Sequence, residues 1–259
     1  MLDFTYLGGY SDITFAFGCE FADILLNTIE VSYYNGAVII GTKVSVKAYL
    51  EGPYIGTGMT TGLNAAGLIP LTSPYGGTES VGAIPNTEVV DWVNVQIRET
   101  DAVANATAAT QVGEQAGFIL DDGMVKELDG TGEMIFDVAI NDNLFVVLNH
   151  RNHIRVLSAN EMTFSQDGGY DVYSYDFTTG LGQAYNSQQT IPVGYSSACL
   201  YVADIDDDGN VFNSDLNLFL SVFPSFTVYS NSDLDLDGNV FNSDINMFLV
   251  NFPTFTSIP

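Results

Sequence analysis

Basic residues are scarce. The 259-residue chain carries 6 Lys+Arg against 32 Asp+Glu, a formal net charge of −26. Lys43, Lys47, Arg98, Lys126, Arg151 and Arg155 are the whole positive complement, and residues 156–259 hold 13 carboxylates with no basic residue among them. Nucleic acid and anionic lipid are bound by Lys and Arg that displace counterions, so neither class of partner suits this chain; cations do. Long apolar runs are lacking as well. Nothing approaches the roughly 20 residues that cross a bilayer as a helix, which argues against membrane insertion. Residues 1–41 contain no Lys or Arg and so lack the basic region of a secretory signal. The expectation is either a cytosolic chain or a mature, trimmed one, and the remaining sequence favours the second. Cysteine is limited to Cys19 and Cys199; in an oxidising compartment they form one disulfide, and otherwise they are two buried thiols.

What the chain has in quantity is apolar and aromatic sequence, 46% and 12% of residues, enough to bury a real core despite the charge. Residues 43–50 alternate Val44, Val46, Ala48 and Leu50 with Lys43, Ser45, Lys47 and Tyr49, a period of two that marks a strand with one wet face. Residues 92–98 repeat the pattern, with Val93, Val95 and Ile97 expected inward. Met134, Phe136 and Val138 make a short run, and 144–156 reads as one long strand or two. Gly- and Asp-rich turns separate these runs. The expectation is a mainly β chain: an immunoglobulin- or transthyretin-like β-sandwich over residues 41–199. Residues 70–85 read as an ordered surface loop, and 102–111 as a loop or short helix. Residues 1–40 carry further strand-like alternation (Ile13, Phe15, Phe17; Ile29, Val31, Tyr33) that either completes the sandwich or pairs elsewhere, including with a neighbouring subunit.

The sharpest feature is a duplication over residues 200–259. DIDDDGNVFNSDLNLFLSVFPSF, starting at Asp204, and DLDLDGNVFNSDINMFLVNFPTF, starting at Asp233, are identical at 16 of 23 positions with an offset of 29 residues. Each copy has the spacing of a twelve-residue calcium loop. Positions 1, 3, 5 and 12 are Asp204, Asp206, Asp208 and Asp215 in the first copy and Asp233, Asp235, Asp237 and Asp244 in the second. Gly209 and Gly238 occupy position 6, where the sharp turn calls for positive φ, and Asn210 and Asn239 supply the position-7 carbonyl. Calcium takes six to eight hard oxygens in flexible geometry, which this spacing wraps around one ion, whereas magnesium prefers fewer protein ligands and a strict octahedron. Two Ca²⁺ ions are therefore expected. Position 9 is Phe212 or Phe241, so water fills that vertex. Asp207 adds a carboxylate at a non-ligand position. A short helix follows each loop, with apolar stripes Leu216, Phe219, Leu220, Phe223 and Ile245, Phe248, Leu249, Phe252, ending at Pro224 and Pro253.

The entering helix of an EF-hand is missing, and position 12 is Asp rather than Glu. In this the tail, about residues 200–257, resembles the type I dockerin, a duplicated loop-helix calcium module of secreted bacterial proteins. The resemblance implies a cohesin partner reached through the helix surfaces and loop positions 10 and 11, here Asn213-Ser214 and Asn242-Ser243; position 9, often small and polar in that family, is Phe. A second resemblance spans about residues 41–159. VKAYLEGPY, GLIPLTSPYGG, VVDWVNVQIRE and VLNHRNHIRVLSA are similar to a β-sandwich module found near the C-termini of large secreted bacterial surface proteins. It implies an extracellular, cell-surface setting and no catalytic residues.

Catalytic motifs are absent from the sequence. There is no GxSxG elbow, and GTGMTTG at residues 56–62 is neither GxGxxG nor a phosphate loop. His150 and His153 are the only histidines; three apart on a strand, they are expected on opposite faces in a structural role. No catalytic or organic-cofactor residue is assigned. The 14 Tyr make a glycan platform conceivable, and Asn105-Ala106-Thr107 is a single sequon. The reading is a non-catalytic extracellular calcium-stabilised structural protein, a subunit of a surface fibre, appendage or layer that self-associates through strand and tail contacts. The alternative is an anchoring module of a secreted carbohydrate-active or adhesive protein that docks on a cohesin-like partner.

Overall fold

The structure is a computed structural model that describes residues 11–13, 36–38, 41–167, 170–256 and 258–259. In chain order the first elements are β1 (Ser11–Ile13), β2 (Gly36–Val38), β3 (Thr42–Lys47), the short helix α1 (Gly62–Ala65), β4 (Val89–Glu99), β5 (Gln111–Leu120), β6 (Val125–Lys126) and β7 (Met134–Phe136). There follow β8 (Leu144–His150), β9 (His153–Leu157), β10 (Thr163–Asp167) and β11 (Tyr170–Asp176). The tail contributes β12 (Asn210–Val211), α2 (Asn213–Val222), β13 (Ser225–Phe226), β14 (Asn239–Val240), α3 (Asn242–Asn251) and β15 (Thr254–Phe255). The chain is mainly β, and no described helix is long and apolar enough to cross a membrane.

Two sheets form the body. One has the order β10-β11-β3-β7, the other β6-β5-β4-β8-β9. All pairs within them are antiparallel except β11 with β3, which run parallel from Asp171 opposite Thr42 to Asp176 opposite Lys47. The sheets share one core. Val44 and Val46 of β3, Met134 of β7 and Tyr175 of β11 share that core with Val95 and Ile97 of β4 and Leu148 of β8. Strand β3 behaves as its alternation predicts, with Val44 and Val46 fully buried and Lys43, Ser45 and Lys47 half-buried.

Strand β4 departs from the expected one-sided pattern, because nearly all of its residues are buried, Trp92 and Asn94 included. Its second face is covered by the loop before it. The indole N–H of Trp92 donates to the Pro70 carbonyl at 2.8 Å, the Tyr75 hydroxyl donates to the Trp92 carbonyl at 3.1 Å, and the Asn64 amide reaches the Val89 carbonyl at 3.1 Å. Residues 144–156 resolve into two strands, and 102–111 into two 3₁₀ turns, Val103–Asn105 and Ala108–Thr110. The described parts of the N-terminal stretch, β1 and β2, pair with each other rather than with either large sheet. The rest of the expected N-terminal strand material, Cys19 included, lies outside the described residues. Cys199 is a free thiol buried in the main core, and burial pushes its pKa up.

Candidate metal centre

The two acidic loops fold alike. Gly209 and Gly238 have φ of +87° and +90°, as position 6 requires, and position 4 is also left-handed, with φ of +60° at Asp207 and +58° at Leu236. The position-1 carboxylates are fully buried. Asp204 accepts the main-chain N–H groups of Asp208 and Gly209 at 3.1 and 3.0 Å, and Asp233 accepts those of Asp237 and Gly238 at 3.1 and 2.9 Å. The position-12 carboxylates are fully buried too, and each ties the loop to its helix. Asp215 accepts from Ile205 N and Phe212 N at 2.7 and 2.9 Å; Asp244 accepts from Leu234 N and Phe241 N at 2.6 and 2.7 Å. The second bond of each pair satisfies a helix N-terminal donor, and the negative charge sits at the favourable end of the helix.

In the first loop, one carboxylate oxygen each from Asp204, Asp206 and Asp215 lies within 4.8 Å of the others; in the second, those of Asp233, Asp235 and Asp237 do. Calcium–oxygen distances of about 2.4 Å put opposite ligands roughly 4.8 Å apart, so both groups are compact enough to share one such ion. The donors are hard oxygens, with no sulfur or imidazole among them, which suits an alkaline-earth ion rather than zinc or copper. Of the residues expected as ligands, Asp208 and Asp244 lie outside these tightest groups. Asp208 and Asp237 each accept the N–H of the position-7 residue, Asn210 or Asn239, at 2.8 Å. Crowding shows in the electrostatics. Burial, with like charges nearby, pushes Asp204 up to about 7, Asp233 to about 8 and Asp235 to about 6, and raises Asp206 and, by burial, Asp244.

No protein-family model and no curated protein matches the chain. Among solved structures, it is similar to a C-terminal interface mutant of a type II cohesin–X–dockerin complex from Acetivibrio cellulolyticus. The identity is 14% and the TM-score 0.36, over 84% of this chain and 97% of that one. The N-terminal interface mutant of the same complex gives 15% identity and a TM-score of 0.38, over 83% and 97%. Likeness at this level carries no argument about function.

The tail is not a separate bead. Strand β12, beside the first loop, pairs with β15 beyond the second helix, and β13 pairs with β14, so the two copies interlock. Phe219 and Phe248 are fully buried with ring centroids 6.4 Å apart, but their cluster also takes in Ile154 of β9 and Val202. The core between the two helices is therefore shared with the body. The apolar stripes are only partly buried as well, since Leu220 and Leu249 are 56% and 58% exposed.

The β8–β9 hairpin docks against the tail, and the sequence reading missed this. The Asn149 amide and the Arg155 guanidinium both hold Asp207 of the first loop, at 3.3 and 2.8 Å. The Asn152 amide donates to the Asp233 carbonyl at 2.7 Å, and Arg151 donates to the Ser230 carbonyl while stacking over Tyr229, 4.1 Å from the ring centre. Behind it, Arg151 Nε pairs with Asp91 at 2.8 Å, and Asp91 also receives the Tyr229 hydroxyl at 2.8 Å. Burial alone would push Asp91 up, but the Arg151 charge and the His150 bond hold it down at about 2. A signal existed: the sequence places two of its three Arg within this otherwise acidic half, at 151 and 155.

His150 and His153 correct another expectation. They do not point to opposite faces, because the hairpin turns at Arg151-Asn152 and sets them in register, with their Nδ1 atoms 2.9 Å apart. Both are fully buried, and burial lowers both pKa values. They belong to the hydrogen-bonded set that joins Asp91 to the tail.

Proposed function

We propose that this chain is a non-catalytic, calcium-stabilised docking unit of the extracellular cell surface, its dockerin-like tail holding two Ca²⁺ ions and presenting a protein-binding face. One observation carries the reading: the duplicated acidic loops and the apolar side chains beside them repeat together. Phe226 and Phe255 are 66% and 64% exposed, and Leu220 and Leu249 match each other in the same way. Large apolar groups held out on short, tightly braced elements mark interaction surfaces. Asp204, Asp206, Asp208, Asn210 and Asp215, with Asp233, Asp235, Asp237, Asn239 and Asp244, would hold the ions. The metal would supply the positive charge that the crowded carboxylates lack, and so brace the helices. The body, in this reading, is an immunoglobulin- or transthyretin-like sandwich that fixes the tail's orientation.

The test is capture on a panel of immobilised cohesins with calcium and after chelation. Calcium-dependent binding lost in Phe226→Ala/Phe255→Ala supports the reading. Binding that ignores calcium and both substitutions, or no binding to any cohesin, counts against it. The second reading, a fibre or layer subunit, is favoured by the exposed edge that β10 forms among the described residues; a glycan ligand has no specific support among them.

A further inference from the structure

Among the described residues, strand β10 is an edge of the four-stranded sheet. Its five residues, Thr163-Phe164-Ser165-Gln166-Asp167, are all exposed, and it pairs with β11 over five positions without a register shift. Edges are ordinarily blunted by Pro, Lys, a bulge or a covering segment; β10 contains no Pro or Lys and no bulge. Phe164 sits beside Tyr173 with ring centroids 5.3 Å apart, on the side of the sheet that carries Val44, yet is 53% exposed. The inner face of this sheet therefore runs past its core at the β10 edge.

We infer that β10 pairs with β10 of a second copy of this chain, antiparallel about a two-fold axis through Ser165. A two-fold interface needs a segment complementary to its own reverse, and this one is. Reversed about Ser165, Thr163 faces Asp167, so a hydroxyl donor meets a carboxylate; Phe164 faces Gln166; the small Ser165 meets its twin. The two Asp167 carboxylates are carried about 13 Å apart along the junction, and each lies 3.9 Å from Lys43 of its own chain. The Phe164 rings become diagonal neighbours across the axis, close enough for aromatic side chains to touch. An unrelated strand would have to supply each of these matches by accident. The pairing joins two four-stranded sheets into one of eight across the dimer, and it stands apart from the calcium reading because no loop residue takes part.

Sedimentation of the full chain across a concentration series tests this, with and without chelator. The expected result is a concentration-dependent monomer–dimer equilibrium in both conditions. Ser165→Lys sets two ammonium groups opposite each other at the axis and should weaken the dimer about fivefold or more. Ser165→Cys places two thiols in register and should cross-link between chains well above the background of the unmodified protein. Thr163→Cys, which faces Asp167 rather than itself, should not. The inference is overturned by a monomer at every concentration, by a dimer indifferent to Ser165→Lys, or by Thr163→Cys cross-linking as fast as Ser165→Cys. The cross-linking pair decides the matter even where the lysine variant folds poorly.

Discussion

Leu236 and Asp207 occupy the same loop position in the two copies, with nearly the same left-handed backbone, but they do opposite things. Leu236 is 1% exposed and belongs to the main core, whereas Asp207 reaches Arg155 at the surface. Leu236→Ala removes buried methyl groups from a site with little freedom to collapse. Gly52 and Gly62 pack so closely on the main chain at Leu234 and Leu236 that an added Cβ would sit 1.7 and 2.8 Å from their carbonyl oxygens. A loss of about 3–4 kcal/mol is expected, in the upper half of the usual range for such truncations. Asp207→Ala gives up an ion pair whose side chains are 34% and 43% exposed, which is worth ~0–1 kcal/mol. The assay is urea unfolding followed by the emission of Trp92, the chain's single tryptophan, which is fully buried in the body. Leu236→Ala should move the Trp92 midpoint strongly with an unchanged slope, and Asp207→Ala should barely move it. If Trp92 unfolds as in the parent while the helical signal at 222 nm melts early, the tail is an independent unit and the packing argument fails.

Three further outcomes are expected. Arg151→Met leaves the Asp91 carboxylate buried without its guanidinium partner, both now 5% exposed or less, and should cost about 3–5 kcal/mol by thermal or urea unfolding; a loss below ~1 kcal/mol would contradict the assigned network. Calcium affinity should fall as pH drops from 8 to 6, by up to about tenfold per pH unit at each loop, because a cation must displace protons from Asp204 and Asp233, which burial holds at about 7 and about 8. Titration calorimetry in buffers of different ionisation enthalpy reads the released protons. For these same groups in the metal-free chain the sign reverses: folded-state pKa values above the unfolded ~3.9 mean the folded chain keeps its protons longer, so their contribution to stability is full below about pH 4 and is lost as pH rises through 7–8. Pairing the metal-free pH series with a calcium-saturated one separates the two effects.

Local patterns in the sequence were a good guide wherever one physical rule dominated. The period of two that begins at residue 43 became β3, the duplicated Asp spacing became two loops with matching left-handed turns, and Gly209 and Gly238 took the positive φ that position 6 demands. Rules failed where distant segments met. The alternation of β4 predicts one wet face, but the 70–85 loop covers it through Trp92 and Tyr75. The three-residue spacing of His150 and His153 predicts opposite faces on a continuous strand, and a two-residue turn cancels that. The helical stripes show that the two helices can pack on each other, but not that Ile154 of the body completes their core. Nothing local marks Leu236 as a core residue, since its neighbours Asp235 and Asp237 belong to an acidic loop; only the fold brings it against the body.

Counting calcium ions tests the central claim most directly. The full chain, stripped with chelator and titrated by calorimetry, should take up two ions, one of them lost in Asp204→Ala and the other in Asp233→Ala. No measurable uptake at millimolar calcium, or uptake that survives both substitutions together, would contradict it.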